Sequence, residues 1–115
     1  MQSDKELLML AAKAAGHTRM EYREEVPYVS FNLNGDDFVA WSPLADDGDC
    51  ARLESACDID VRWCDGAVRT SVRTADEWPW LATERFADHG GDKNKARRYA
   101  STRAAAQLAQ AQEGK

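Results

Sequence analysis

Residues 59–72 read IDVRWCDGAVRTSV, two alternating runs of apolar and polar residues on either side of Asp65-Gly66. Asp65-Gly66 favours a type I′ turn, because the twist of that turn matches the twist of paired antiparallel strands. The expected pairs are Trp63–Val68, Val61–Thr70 and Ile59–Val72 on one face, and Arg62–Arg69 and Asp60–Ser71 on the other. A one-residue slip would turn both arginines toward the core, so the pattern specifies the register. The stretch therefore predicts a β-hairpin with one apolar face and one face exposed to solvent.

An earlier hairpin is predicted at Asn34-Gly35, a dipeptide that also favours a type I′ turn. A two-residue turn there pairs Phe31 with Phe38, and Val29 with Ala40, on a face that should meet the core. Pro27 marks a strand start or an edge position. Residues 20–24 are expected to extend the first strand outward.

Three helices are predicted from their capping residues. Ser3 followed by Glu6 is a capping-box pattern, which predicts a helix over residues 4–15 that ends at Gly16. The acidic run 46–49 opens a short second helix that ends near Cys57, and Asp92 caps a long third helix over about 93–112. One side of the third helix is lined by Ala96, Ala100, Ala104, Leu108 and Ala111. Residues 74–91 are interpreted as a loop with a short element near 81–86.

This order of elements predicts the fold class. The 115 residues suit a single domain, 1–115, which has room for one modest core. The order α-β-β-α-β-β-α favours an α+β fold, in which an antiparallel four-stranded sheet made of two hairpins is flanked by helices.

Composition limits the classes of function. No run of residues is long and apolar enough for a transmembrane helix, and the first residues do not form a secretion signal. The three cysteines, an odd number at Cys50, Cys57 and Cys64, fit free, buried thiols in a reducing cytoplasm. The net charge of −5 combines an excess of acids in residues 1–66 with an excess of bases in residues 67–115. An acidic chain is a poor non-specific DNA binder, although its basic half can form a local patch.

Two groups of residues are candidates for chemistry. The carboxylates of Asp46, Asp47 and Asp49 suit either a helix cap or a Mg²⁺ or Ca²⁺ site, and capping explains them without a further assumption. The three cysteines with His17 and His89 supply the residue types of a nucleophile–base pair. Because no known catalytic or metal-binding motif is present, we expect no enzyme activity, no metal and no cofactor.

Trp78 and Trp80 flank Pro79 in the loop and are open to two interpretations. They either fill the core or serve as interface anchors, since Trp and Arg dominate binding hot spots. Stacking of nucleic-acid bases on them is a further use of exposed aromatic rings.

Three pieces of the chain occur in the same order in small proteins of tailed phages and prophages. They are Glu6–Leu8 with Ala11–Gly16, then Trp41–Asp49 with Leu53, and finally the Arg- and Ala-rich residues 97–106. The chain thereby resembles the phage "ABA sandwich" type of family, in which helices flank a sheet. The resemblance implies that fold and a phage context. It implies no reaction, and it does not extend to residues 62–91.

These expectations lead to a non-catalytic phage accessory protein in the cytoplasm of a bacterial host. Its expected partner is a host protein or nucleoprotein with a basic surface, as for a counter-defence inhibitor of the anti-CRISPR kind, and no membrane or small-molecule substrate is expected. The expected protein-binding residues are Glu21, Glu24, Glu25, Asp36, Asp37, Trp78 and Trp80. The alternatives are a nucleic-acid-binding protein that uses Lys93, Lys95, Arg97 and Arg98, and a small enzyme with an unrecognised site.

Overall fold

The described part of the chain is an α+β fold with three α-helices. The computed structural model describes residues 3–17, 20–23, 28–32, 38–72 and 82–113, and it describes only the backbone of residues 28–32, 38, 39, 112 and 113. The elements are α1 (Asp4–Ala14), β1 (Glu21–Arg23), β2 (Tyr28–Asn32), β3 (Phe38–Trp41), α2 (Asp47–Cys57), β4 (Ile59–Cys64), β5 (Ala67–Val72), β6 (Ala82–Arg85), a 3-10 helix (Phe86–His89) and α3 (Lys93–Glu113).

The six described strands form two antiparallel sheets of three strands, ordered β1-β2-β3 and β4-β5-β6. The expected single sheet of four strands is therefore not confirmed. Residues 21–23 do not extend β2 but turn back and pair with it, so that Tyr22 lies opposite Val29. The short element expected near 81–86 is strand β6, which pairs with β5. Both added strands are short and rich in charged residues, as edge strands often are, and such strands have a weak sequence signal.

The hairpin of β4 and β5 confirms the predicted register at all five expected pairs. Gly66 has a φ of +75°, which glycine adopts without strain. Asp65 does not have a positive φ, so the predicted type I′ geometry, which requires one at both central residues, is wrong for this turn. Val68 and Thr70 are fully buried, whereas Arg62 and Arg69 are exposed. The Thr70 hydroxyl donates a hydrogen bond of 2.7 Å to the carbonyl oxygen of Ala100 in α3. The sheet thus packs one face against α3.

The hairpin of β2 and β3 is shifted by one residue from the predicted register. Val29 pairs with Trp41 and not with Ala40, and Phe31 pairs with Val39. Residues 33–37 lie outside the described ranges. The predicted pairs Phe31–Phe38 and Val29–Ala40 are therefore wrong. The predicted turn at Asn34-Gly35 lies outside the described residues.

The caps of α1 confirm its predicted limits to within a residue. The Ser3 hydroxyl accepts a hydrogen bond of 3.2 Å from the amide of Glu6. Gly16 follows the helix with a φ of +93°, and its amide donates to the carbonyl of Lys13. Leu7 and Leu8 are fully buried on the core side of the helix.

Helix α3 is enclosed by the other elements along most of its length. It contacts α1, α2, all three strands of the β4–β6 sheet and the 3-10 helix. Its buried residues are all small: Ala96, Ala100, Ser101, Thr102, Ala104, Ala105, Ala106 and Ala109. Of the residues predicted to line one side of the helix, Ala96, Ala100 and Ala104 are buried, Leu108 is half-buried and Ala111 is exposed. Small side chains allow neighbouring backbones to approach α3 closely, so a larger residue would have no space.

We expect Ala104→Leu to lower the free energy of unfolding by about 1–3 kcal/mol, because the extra atoms overpack an enclosed position. Ala111→Leu is the matched control, since it makes the same change at an exposed position of the same helix. Urea titration of both variants measures the difference. Equal stability of the two variants would contradict the enclosure of α3.

Candidate functional site

The segment that joins β3 to α2 folds back on itself through its carboxylates. Asp46 is the N-cap of α2, and its Oδ2 accepts a hydrogen bond of 2.8 Å from the amide of Asp49. Asp49 in turn accepts a hydrogen bond of 3.0 Å from the amide of Ser42 through its own Oδ2. Since each carboxylate satisfies a backbone N–H group, the predicted capping role of this cluster is confirmed at Asp46.

Arginines fix the same segment from two directions. Arg98 of α3 donates to the carbonyl oxygen of Leu44 over 2.9 Å and to Asp47 Oδ1 over 2.7 Å. Arg52, one turn into α2, donates to Asp49 Oδ1 over 2.6 Å. Within the described ranges, no three His, Cys, Asp or Glu side chains come together in a way that could hold a metal ion.

A pocket of about 430 Å³ lies where the end of α1, the end of β3 and helix α2 meet. Its apolar lining consists of Ala15, Ala40, Trp41, Leu53 and Ala56, and its polar lining of His17, Asp49 and Arg52. The volume falls within the range of ligand pockets, roughly 300–1,000 Å³. The last residue of β3, Trp41, therefore contributes an apolar wall, and Asp49 in the first turn of α2 contributes a carboxylate.

The polar side of the pocket consists of one ion pair and one histidine. His17 meets the Trp41 ring edge-on, with 5.5 Å between ring centroids. Burial lowers the pKa of His17, so the ring is neutral at pH 7. Asp49 is held by Arg52, whose side chain is 70% exposed. The pocket can thus accept an apolar group and place a cationic group beside Asp49.

Sequence reasoning missed a buried carboxylate at Glu54. Arg97 donates to it through both Nη2 and Nε, the latter over 3.0 Å, and the Ser101 hydroxyl donates over 2.6 Å. The Cys50 thiol lies 3.7 Å from the same carboxylate oxygen. Position 54 falls beside the apolar stripe of α2, but its partner Arg97 is far away in the sequence. The sequence therefore placed a carboxylate beside the apolar stripe of α2, but it did not show which residue pairs with it.

A second group that the sequence did not predict surrounds Tyr99. The Tyr99 hydroxyl donates a hydrogen bond of 3.1 Å to the carboxylate of Asp4 in α1. The centres of the Tyr99 and His89 rings are 5.0 Å apart. His89 Nε2 lies 2.9 Å from Glu84 Oε1, and Arg103 Nε lies 3.3 Å from Glu84 Oε2. These contacts join α1, β6 and the 3-10 helix to α3, so the group stabilises the packing of four elements.

One of the predicted protein-binding residues lies in the described part of the chain. Glu21 is an exposed residue of β1 and pairs with Arg23 over 3.5 Å. The other predicted positions, Glu24, Glu25, Asp36, Asp37, Trp78 and Trp80, lie outside the described residues. The choice between core and interface for the two tryptophans therefore stays open.

The four residues predicted for nucleic-acid binding are divided between two environments. Arg97 and Arg98 make the intramolecular contacts with Glu54, Asp47 and Leu44 described above. Lys93 and Lys95 are exposed in the first turn of α3, where Lys93 Nζ lies 5.5 Å from the centre of the Phe86 ring. The guanidinium groups of Arg97 and Arg98 are therefore both engaged in intramolecular contacts.

Within the described ranges, no helix is long and apolar enough to cross a membrane. Comparison of the chain with family models, curated proteins and solved structures gave no match. Functional inference therefore depends on the geometry of the described residues.

The thiols should differ in reactivity. Burial, followed by the nearby Glu54 carboxylate, raises the pKa of Cys50 to about 12, and burial raises that of Cys57 to about 11. Cys64 is half-buried, so the prediction of three buried thiols is wrong at this position. We expect a thiol reagent at pH 8 to label one cysteine in the native protein and three after denaturation, because the thiolate is the reactive form.

Cys64→Ser should remove the native labelling, and mass spectrometry of the intact protein counts the labels. Fast native labelling of Cys50 or Cys57 would contradict their burial.

We expect Arg97→Met to destabilise the protein by about 3 kcal/mol, because it leaves the Glu54 carboxylate buried without its cation. The double variant Arg97→Met with Glu54→Met should regain much of that loss, since neither charge remains. Thermal and urea unfolding of both variants measure the coupling. If the single and double variants lose equal stability, the pair is not coupled.

Proposed function

We propose that the protein is a non-catalytic binding protein whose pocket receives a side chain of a macromolecular partner. The observation that supports this proposal is the composition of the pocket, an apolar wall of Trp41, Leu53 and alanines with Asp49 at one side. Interfaces are dominated by a few anchors that fill such pockets, and Arg, Trp and Tyr are the commonest anchors. A partner arginine suits both parts, because its stem packs on apolar surface while its head pairs with a carboxylate.

The charges near the pocket favour a basic partner. Asp46, Asp47 and Asp49 bring three negative charges to this segment, and Arg52 and Arg98 bring two positive charges, so one negative charge is left over. The side chains of Asp46 and Asp47 are 60% and 56% exposed. Charges of this kind contribute little to folding but attract an oppositely charged surface and speed association. The predicted acidic residues Glu21, Glu24, Glu25, Asp36 and Asp37 would add to the same attraction.

The phage resemblance supplies the setting of this proposal. The partner is a host protein or nucleoprotein inside the bacterial cell, and binding blocks its basic, nucleic-acid-reading surface, as a counter-defence inhibitor does. Trp78 and Trp80 are the proposed additional anchors. Binding alone is sufficient for such blockage, so the proposal requires no catalytic residue.

Filling the pocket should abolish partner binding. Ala56 lines the pocket and is exposed, so Ala56→Phe occupies the space at little cost to folding. Ala51→Phe is the matched control, because Ala51 is exposed on the same helix and does not line the pocket. Wild type and both variants are immobilised as baits in lysate of the bacterial host, and captured proteins are identified by mass spectrometry.

The expected partner is retained by wild type and Ala51→Phe and is depleted at least tenfold with Ala56→Phe. The purified partner should then lose affinity for its nucleic acid when the wild-type protein is added, and the association rate should fall as salt is raised. A partner that all three baits retain equally would exclude the pocket as the binding site.

A further inference from the structure

Two arginines face each other on the side of the β4–β6 sheet that turns away from α3. Arg62 and Arg69 are direct cross-strand partners in the register of β4 and β5. Both are exposed, whereas Val68 and Thr70, on the opposite face, are fully buried. Like charges at opposed positions repel each other and lower the stability of a sheet.

The remaining arginines show how unusual this pair is. Among the described residues, six arginines pair with a carboxylate: Arg23, Arg52, Arg85, Arg97, Arg98 and Arg103. Within the same part of the chain, neither Arg62 nor Arg69 pairs with one. Of the eight arginines that the structure describes, the two without a carboxylate partner are thus the two that the register places together. An anionic ligand would relieve their repulsion.

The neighbouring residue on β4 adds an aromatic ring to this end of the sheet. Trp63 is 50% exposed, and no other large apolar side chain among the described residues is classed as exposed. Its ring lies 6.1 Å from that of Phe86, over which Lys93 is placed. In the described order β4-β5-β6, strand β4 is at an edge. A ligand that follows this edge can therefore contact Arg62 on one face and Trp63 on the other.

We infer that this edge binds single-stranded nucleic acid, with phosphates on Arg62 and Arg69 and a base stacked on Trp63. Exposed aromatic rings beside cations are the usual elements of such sites, because every base has a face that can stack. Arginine suits phosphate through its planar, bidentate fork. The carboxylates of an acidic peptide would pair with the arginines but would not stack on the tryptophan, whereas every nucleotide carries both a phosphate and a base. The site is independent of the pocket near α2 and of the proposed function.

The test is a titration of a fluorescently labelled oligothymidylate of about 20 nucleotides with the full-length protein, followed by anisotropy at several salt concentrations. We expect Arg62→Gln with Arg69→Gln to weaken binding and to reduce the magnitude of the salt slope by about 1.4, since each phosphate contact contributes about 0.7 for single strands. Arg85→Gln is the matched control. Arg85 is exposed on the same face of the same sheet, but Asp88 already neutralises it.

Trp63→Ala should weaken binding about tenfold, within the range for one stacked base. Circular dichroism and thermal unfolding of each variant show whether it remains folded, and Trp63→Phe, which keeps a stacking ring, should restore much of the affinity. An unchanged affinity for the double arginine variant would overturn the inference, as would an equal loss for Arg85→Gln. Polyglutamate that competes as well as the oligonucleotide would assign the face to acidic proteins and overturn it as well.

Discussion

The enclosure of α3 is the constraint on which the rest of the structure depends. A helix that touches two other helices and a three-stranded sheet can be accommodated only if its inward-facing side chains are small. The buried alanines of α3 meet this condition. Because alanine contributes little apolar area, the larger side chains of the core come from the neighbours, such as Leu7, Leu53 and Val68. Helix α3 therefore acts as the centre against which the other elements pack.

Longer polar side chains at the borders of α3 attach those neighbours individually. Arg97 holds α2, Arg98 holds the segment before α2, Tyr99 holds α1 and Arg103 reaches β6. This arrangement engages the three arginines of α3 in intramolecular contacts. The arginines of α3 are matched by carboxylates from earlier in the sequence, including Glu54 and Asp47. Part of the difference in charge between the two halves therefore comes from acidic residues of the first half that pair with arginines of the second half.

Local signals made much of this fold predictable. The limits of the helices follow from Ser3, Gly16, Asp46 and Asp92, since a cap involves residues only three apart. The hairpin at Asp65-Gly66 follows from a turn and an alternation that agree with each other. The hairpin at Asn34-Gly35 was predicted one residue out of register, because the turn alone fixed the pairing there. The short strands β1 and β6 were not separated from their surroundings, because edge strands need little apolar patterning.

The candidate site could be predicted only in part, for a physical reason. The acidic run 46–49 was recognisable as a cap. The pocket, however, needs Ala15 and His17, which follow α1, beside Trp41 and Leu53, and nothing local brings them together. The same limit applies to Glu54, whose partner Arg97 is 43 residues away. Pairs of that kind depend on the packing of α2 on α3. Sequence periodicity identifies which face of each helix is buried, but it does not show which polar residues meet at the border of two faces.

Asp49 links the stability of the site to its proposed use. One carboxylate oxygen closes the segment onto Ser42, and the other pairs with Arg52. The first contact is part buried and would persist in a complex, because its loss would leave a backbone amide without a partner. The second involves a largely exposed arginine, and such pairs contribute little to stability. A partner cation could therefore replace Arg52 at one oxygen while the other oxygen kept the pocket wall in place. Under the proposed function, Asp49 would therefore bind a partner's cation through one oxygen, while the hydrogen bond of its other oxygen to Ser42 would keep the shape of the pocket unchanged.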